Sequence, residues 1–128
     1  ILLLFSIVFL FSCKSDTEQL QIGQKTTIKV NEVHDGGTVI KGEKIMAKFN
    51  VTNTGKYPLV ISSVKGSCSC TIASKPTKAI KPGESKIITA EVKTEKKPVG
   101  KLTQSVRMVA NTVPSMTVLR ITANVVTK

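Results

Sequence analysis

From Lys25 onward, apolar and polar residues alternate along much of the chain. Ala47, Phe49 and Val51 alternate with Lys48, Asn50 and Thr52, the period-two pattern of a strand with one buried and one wet face. The same reading predicts strands over Thr26–Val33, Thr38–Ile40, Ile45–Asn53, Leu59–Val64, Lys86–Lys93, Leu102–Ala110 and Met116–Val126. Turn signals separate them at Asp35-Gly36-Gly37, Asn53-Thr54-Gly55, Lys81-Pro82-Gly83-Glu84, Pro98-Val99-Gly100 and Asn111 to Pro114. No helical stripe competes after Cys13. Short strands punctuated in this way predict an all-β antiparallel sandwich of about seven strands. Its inward positions are expected to be Ile45, Ala47, Phe49 and Val51; Ile88, Ala90 and Val92; Leu102, Val106, Met108 and Ala110; and Val118 with Ile121.

The stretch from Ala47 to Thr71 joins two of these strands through a turn and ends on a cysteine pair. Gly55 can take positive φ without steric cost and Asn53 can bond its own backbone, so the chain is expected to turn there. Pro58 is placed to begin the next strand rather than interrupt it. Leu59, Ile61 and Ser63 then alternate with Val60, Ser62 and Val64, and Gly66 precedes Cys68 and Cys70. Phe49, the Asn53-Thr54-Gly55 turn, Leu59, Ile61, Val64, Ser67-Cys68-Ser69-Cys70-Thr71 and Ile80-Lys81-Pro82-Gly83-Glu84 together resemble the bacterial family known as domain of unknown function 1573 (DUF1573). More loosely, the resemblance takes in Gly100 and Asn111, and it covers roughly Gly42 to Val126. Ser69 stands where glycine is usual, and Asn124 near another usual glycine. The resemblance implies an immunoglobulin-like module of secreted or envelope proteins, with no activity assigned to it.

Residues 1–12 hold ten apolar residues, two serines and no charge. That suits a signal-peptide core and falls short of the ~20 residues needed to span a bilayer. No Met opens the sequence and no Lys or Arg precedes the apolar run, so the natural chain is expected to begin a few residues earlier. Leu10-Phe11-Ser12-Cys13 resembles a bacterial lipobox, with Cys13 the residue to be lipidated and to become the new N-terminus. The competing reading is a buried helix ending in an ordinary cysteine. Residues 13–24 are expected to form a flexible tether, and residues 25–128 a single domain close to the ~100 residues of an immunoglobulin-type sandwich. Lys14 rather than Asp after Cys13 points to the outer membrane, on either its periplasmic or its exposed face. Lys14-Ser15-Asp16-Thr17-Glu18 also resembles the acidic export signals of surface lipoproteins, although a plain solvated linker explains it equally well.

The chain carries a formal net charge of +11. Of its 19 basic residues only Lys14 precedes Lys25, leaving 18, and of its 8 acidic residues Asp16 and Glu18 do, leaving 6, so the domain itself is basic. A nucleic-acid partner is not expected: the lysines are spread over all the strands, and Arg107 and Arg120 are the two arginines available for bidentate readout. Aromatic platforms for sugars or single strands are excluded too, because three of the four Phe residues lie in the signal segment and no Trp exists. Attraction to anionic envelope surfaces, or to a protein partner, is the functional reading. Lysines that solvate outer faces and blunt edge strands are its structural counterpart.

His34-Asp35 beside Gly36-Gly37 does not build a triad, since no Gly-x-Ser-x-Gly elbow accompanies it, and a solvent-facing turn histidine is expected instead. Phosphate loops, paired carboxylates and His-Glu-x-x-His are absent, so neither an enzyme nor a cofactor is expected. Asn50-Val51-Thr52 matches a glycosylation acceptor and is read as chance beside a bacterial lipobox.

With Cys13 assigned to lipid, Cys68 and Cys70 remain as a pair in an oxidising compartment. Positions i and i+2 of an extended strand lie ~6.6 Å apart, beyond the ~5.5–6 Å common for bridged Cα atoms. A bridge would therefore need a local turn, which Gly66, Ser67 and Ser69 permit, or would carry strain. So small a loop constrains the unfolded chain little, which speaks against a purely stabilising role. Three readings stay open: a local structural disulfide, redox exchange, or a soft site for Cu(I) with Met46, Met108 or Met116 as thioether ligands. Tetrahedral zinc lacks ligands, His34 being the one histidine. The sequence as a whole predicts a lipid-anchored, non-catalytic binding or structural module of the cell envelope. Its rival is a thiol-redox or Cu(I)-handling protein using Cys68 and Cys70.

Overall fold

The computed structural model describes residues 24–128. The apolar segment, Cys13 and nearly all of the tether lie outside the described residues.

Eight strands run in chain order: β1 (Ile28–Val30), β2 (Val33–Ile40), β3 (Lys44–Asn53), β4 (Ile61–Gly66), β5 (Thr71–Ser74), β6 (Ser85–Lys93), β7 (Gly100–Ala110) and β8 (Met116–Val126). They form two four-stranded sheets, ordered β1-β3-β6-β5 and β2-β8-β7-β4. All neighbours pair antiparallel except β2 with β8, which are parallel. The inner faces bury Phe49, Val51, Leu59, Ile80, Ile88, Val92, Val106, Met108, Leu119, Ile121 and Val125 completely or nearly so. The inward positions expected on β3, β6 and β7 are all in this core.

The chain changes sheet five times, and two of these crossings depart from the expected strand list. Thr26–Val33 is not one strand. Asn31 ends β1 because its side chain takes over the pairing with β3: its Oδ1 accepts from the Asn50 N–H at 2.7 Å and its amide donates to the Lys48 carbonyl at 3.4 Å. One residue later the Glu32 carbonyl accepts from the Arg120 N–H at 2.7 Å, and β2 begins along β8 in the other sheet. The other departure is the crossing from β4 to β5, the strand that sequence alone did not predict. β5 is a four-residue edge strand whose alternation is too short and polar to stand out, with Thr71 buried and Ile72 exposed.

Asp35-Gly36-Gly37 lies inside β2 rather than in a turn. Asp35 pairs with Thr122 and Thr38 with Asn124, so β2 carries one extra residue, a β-bulge. Gly37 sits at φ +66° with its N–H donating to Asp35 Oδ1 at 2.9 Å. A side chain on Gly36 would stand 3.0 Å from Ile45 Cγ2 and 3.2 Å from the Thr122 carbonyl. With the strand continued through the bulge, His34 is not a solvent-facing turn residue: it is half-buried, its ring edge-on to Phe49 at 6.2 Å. On β8, Val118 and Ile121 cannot share a face, being an odd number of positions apart. Leu119, Ile121, Ala123 and Val125 point inward, and Val118 is 40% exposed.

Candidate functional site

The β4–β5 crossing carries Cys68 and Cys70, which are joined by a disulfide with Cα atoms 5.3 Å apart. The shortening from an extended spacing comes from where each end of the loop is tied. Ser67 is still held by the second sheet, its N–H donating to the Ser105 carbonyl of β7 at 2.8 Å. At the other end, the Cys70 carbonyl accepts from the Lys93 N–H of β6 in the first sheet, at 2.9 Å. Between these anchors the Thr71 N–H donates to the Cys68 carbonyl at 3.1 Å, closing a turn. A Cβ on Gly66 would stand 2.5 Å from the Thr71 carbonyl and 2.6 Å from Thr71 Cβ. Glycine there is what lets the strand leaving one sheet press against the strand entering the other.

Around the sulfurs the surroundings are polar and unequal. Thr71 Oγ1 lies 3.8 Å from Cys68 Sγ and 3.9 Å from Cys70 Sγ. Cys68 alone has two further neighbours: the Lys97 ammonium, which donates to its Sγ at 3.6 Å, and Gln104 Oε1 at 3.3 Å. Being bridged, Cys68 has no proton to give, so its approach to Gln104 is a close contact and not a hydrogen bond. Gln104 is set by Ser67, whose hydroxyl donates to Oε1 at 2.9 Å. Lys97 is set by the turn after β6. Its N–H donates to the Thr94 carbonyl at 3.0 Å, and buried Thr94 ties that turn to the β2–β3 connection by accepting from the Gly42 N–H and donating to the Glu43 carbonyl. Both cysteines are half-buried.

Sequence reasoning found the two sulfurs and missed Lys97, Gln104 and the role of Thr71. Thr71 carried a signal as the last residue of Cys-x-Cys-Thr, whereas Lys97 looked like any other lysine of a basic chain. The suggested thioether ligands divide: Met108 is buried in the core, while Met46 and Met116 are exposed. Among the described residues, no group of three or more His, Cys, Asp or Glu side chains stands together to hold a metal ion.

A second polar centre explains the other motif residues. Asn53 is 0% exposed. Its Oδ1 accepts from Thr26 Oγ1 at 2.7 Å and from the Gly55 N–H at 3.1 Å, while its amide donates to the Tyr57 carbonyl at 2.7 Å and the Ile80 carbonyl at 2.9 Å. Lys81-Pro82-Gly83-Glu84 is the turn beside it, with Gly83 at φ +82° and its N–H donating to the Asn53 carbonyl. Asn111 does similar work at the end of β7, donating to the Gln24 and Pro58 carbonyls and accepting from the Val60 N–H. These residues hold loops together and leave no free reactive group.

A family described as "Protein of unknown function (DUF1573)" matches residues 26–125. No protein of curated function matches the chain significantly. Among solved structures, a protein of unknown function from Porphyromonas gingivalis W83 superposes with a TM-score of 0.70 at 19% identity, over 85% of this chain and 51% of that one. The chain thus spans about half the length of that protein. The VesB protease of Vibrio cholerae gives a TM-score of 0.62 at 14% identity, over 76% of this chain but only 31% of its own. The ASH / PapD-like domain of human CEP192 gives 0.58 at 11% identity, over 81% of this chain and 88% of that domain. At these identities the likeness is one of fold: an immunoglobulin-like, PapD-like sandwich.

Proposed function

Because the chain belongs to the DUF1573 family of proteins of unknown function and folds as an immunoglobulin-like sandwich, we propose that it is a lipid-anchored module of the bacterial envelope that works by binding and not by catalysis. Support for the anchor is Leu10-Phe11-Ser12-Cys13 directly after an uncharged apolar run, followed by a polar stretch long enough to act as a tether. The observation that carries the binding reading is the outer face of the first sheet. There Met46 and Ile72, 52% and 55% exposed, flank Glu91 in one cross-strand row, and Ile87, 57% exposed, lies further along β6. Lys44, Lys48 and Lys93 share that face, Lys44 paired with Glu91 at 3.2 Å. Apolar side chains among lysines suit an anionic surface with some apolar character, whether lipid headgroups, lipopolysaccharide or an acidic protein. Sheet faces of this kind need no cofactor.

The test has two parts. Mass spectrometry of the membrane fraction should find the lipid on a peptide beginning at Cys13, and Cys13→Ala should leave the precursor unprocessed. Unlipidated Cys13→Ser protein should bind vesicles with anionic headgroups better than zwitterionic ones, with salt weakening the binding and Lys44→Glu/Lys48→Glu abolishing it. An unmodified Cys13 in a soluble mature protein sinks the anchor, and indifference to headgroup charge and to the double substitution sinks this face as the binding surface.

A second reading gives the Cys68–Cys70 pair chemical work. The Lys97 ammonium favours thiol exchange over Cu(I) handling, since a cation beside the sulfur stabilises a thiolate and repels a metal ion.

A further inference from the structure

We infer that Cys68–Cys70 is a reversible thiol–disulfide exchange site with a fixed polarity: an incoming thiolate attacks Cys70 Sγ, and Cys68 leaves as the thiolate beside Lys97. This inference is independent of what the sheet face binds.

The polarity follows from the unequal surroundings of the two sulfurs. Exchange is faster when the departing sulfur is the better leaving group, and a neighbouring cation makes it one. Lys97 Nζ is 3.6 Å from Cys68 Sγ, whereas Cys70 Sγ has the Thr71 hydroxyl at 3.9 Å. Among the described residues Lys97 forms no ion pair, so its charge is not already neutralised by a carboxylate. Both forms of reduced Cys68 have a partner in place: Lys97 for the thiolate and Gln104 Oε1, 3.3 Å away, as acceptor for the thiol. Neither neighbour depends on the bridge for its position. The Lys97 backbone is held through Thr94, and the Gln104 side chain through Ser67.

The bridge is also separable from the fold. It spans a sequence separation of 2, so it closes almost no loop and removes little entropy from the unfolded chain. The loop ends are secured by backbone bonds to β7 and β6 whatever the state of the sulfurs. Opening the bridge therefore leaves the sandwich standing.

The reaction balances with a dithiol as reductant. Its first thiolate forms a bond to Cys70 Sγ as the Cys68–Cys70 bond breaks, and the electron pair leaves on Cys68. The second thiol of the partner, deprotonated, then attacks its own sulfur in the mixed disulfide and releases Cys70 as a thiolate. The two protons lost by the dithiol are taken up by Cys68 and Cys70. The partner ends as a disulfide and the pair as a dithiol; the reverse sequence re-forms the bridge and reduces the partner's disulfide.

To test this, the full chain in detergent is exposed to glutathione, quenched by alkylation and mapped by peptide mass spectrometry, which keeps Cys13 apart from the pair. Glutathione is expected on Cys70 and the alkyl label on Cys68. Reduction by dithiothreitol should proceed with the β-sheet circular dichroism unchanged. Lys97→Met should slow it about threefold or more, in line with the sensitivity of exchange to thiol acidity, while Lys97→Arg keeps the wild-type rate. Circular dichroism of both variants confirms that they are folded. Glutathione on Cys68, equal rates for Lys97→Met and wild type, or reduction only when the protein unfolds would each overturn the proposal.

Discussion

Asn53 offers the sharpest test of how the motif residues hold the fold. Its side chain makes four hydrogen bonds with no exposure to water: two accepted, from Thr26 and Gly55, and two donated, to the carbonyls of Tyr57 and Ile80. Asn53→Ala strips a partner from all four groups at once. Each buried polar group left unpaired costs about 1–3 kcal/mol, but the Gly55 and Tyr57 groups lie near water and recover part of that. Charging the full penalty only to Thr26 and Ile80, and some packing loss to the missing amide, gives about 3–5 kcal/mol. That is a large share of the ~5–15 kcal/mol typical of a domain. Asn53→Asp adds a sign. The carboxylate keeps both accepted bonds but turns charge toward two carbonyl oxygens, so burial and those dipoles favour its neutral form and raise its folded-state pKa above the unfolded value. Whatever stability the neutral acid retains is present below the ordinary carboxylate pKa of about 3.9 and is lost as pH rises through the raised folded value. Urea denaturation followed by circular dichroism at several pH values measures both effects. A loss below about 1 kcal/mol for Asn53→Ala, or an Asn53→Asp penalty that does not grow from acid toward neutral pH, refutes the reasoning.

Two further substitutions check the core. Phe49→Ala removes the domain's one Phe from full burial and should cost about 3–5 kcal/mol in the same denaturation assay; a loss under about 1 kcal/mol would count against its place at the centre. On β8, Leu119→Ala should cost about 2–5 kcal/mol and Val118→Ala about 0.5 kcal/mol or less, because Leu119 faces inward and Val118 outward. Equal losses would mean the register of that strand is wrong.

The fold was legible wherever one strand kept one face buried. On β3 the apolar residues alternate without a slip, so range, face and core positions could all be read from the chain. Legibility failed where a residue's conformation is set by a strand far along the chain. Asn31 looks like an ordinary polar position inside a strand, and only its bonds to Asn50 and Lys48 across the gap show that it ends one. Asp35-Gly36-Gly37 has turn composition, yet the parallel neighbour β8 draws it into a strand as a bulge. In both cases a distant partner decided between two conformations that the local residues allow equally.

The same division runs through the candidate site. Spacing alone established that bridging Cys68 and Cys70 takes a local turn or strain, which is a local statement about backbone length. Why the chain turns there is not local: one end of the loop belongs to β7's sheet and the other to β6's. The chemistry follows from that crossing, because it brings Cys68 between residues 29 and 36 positions further along the chain. In a domain of 18 basic residues Lys97 has no sequence feature that separates it from a solvating lysine. Its difference lies in the turn after β6, where buried Thr94, bonded to the β2–β3 connection, holds the backbone of Lys97, and the ammonium reaches Cys68 and not Cys70. If the exchange polarity holds, the specificity of the pair resides in that turn, and Thr94 will matter to sulfur chemistry although it touches neither cysteine.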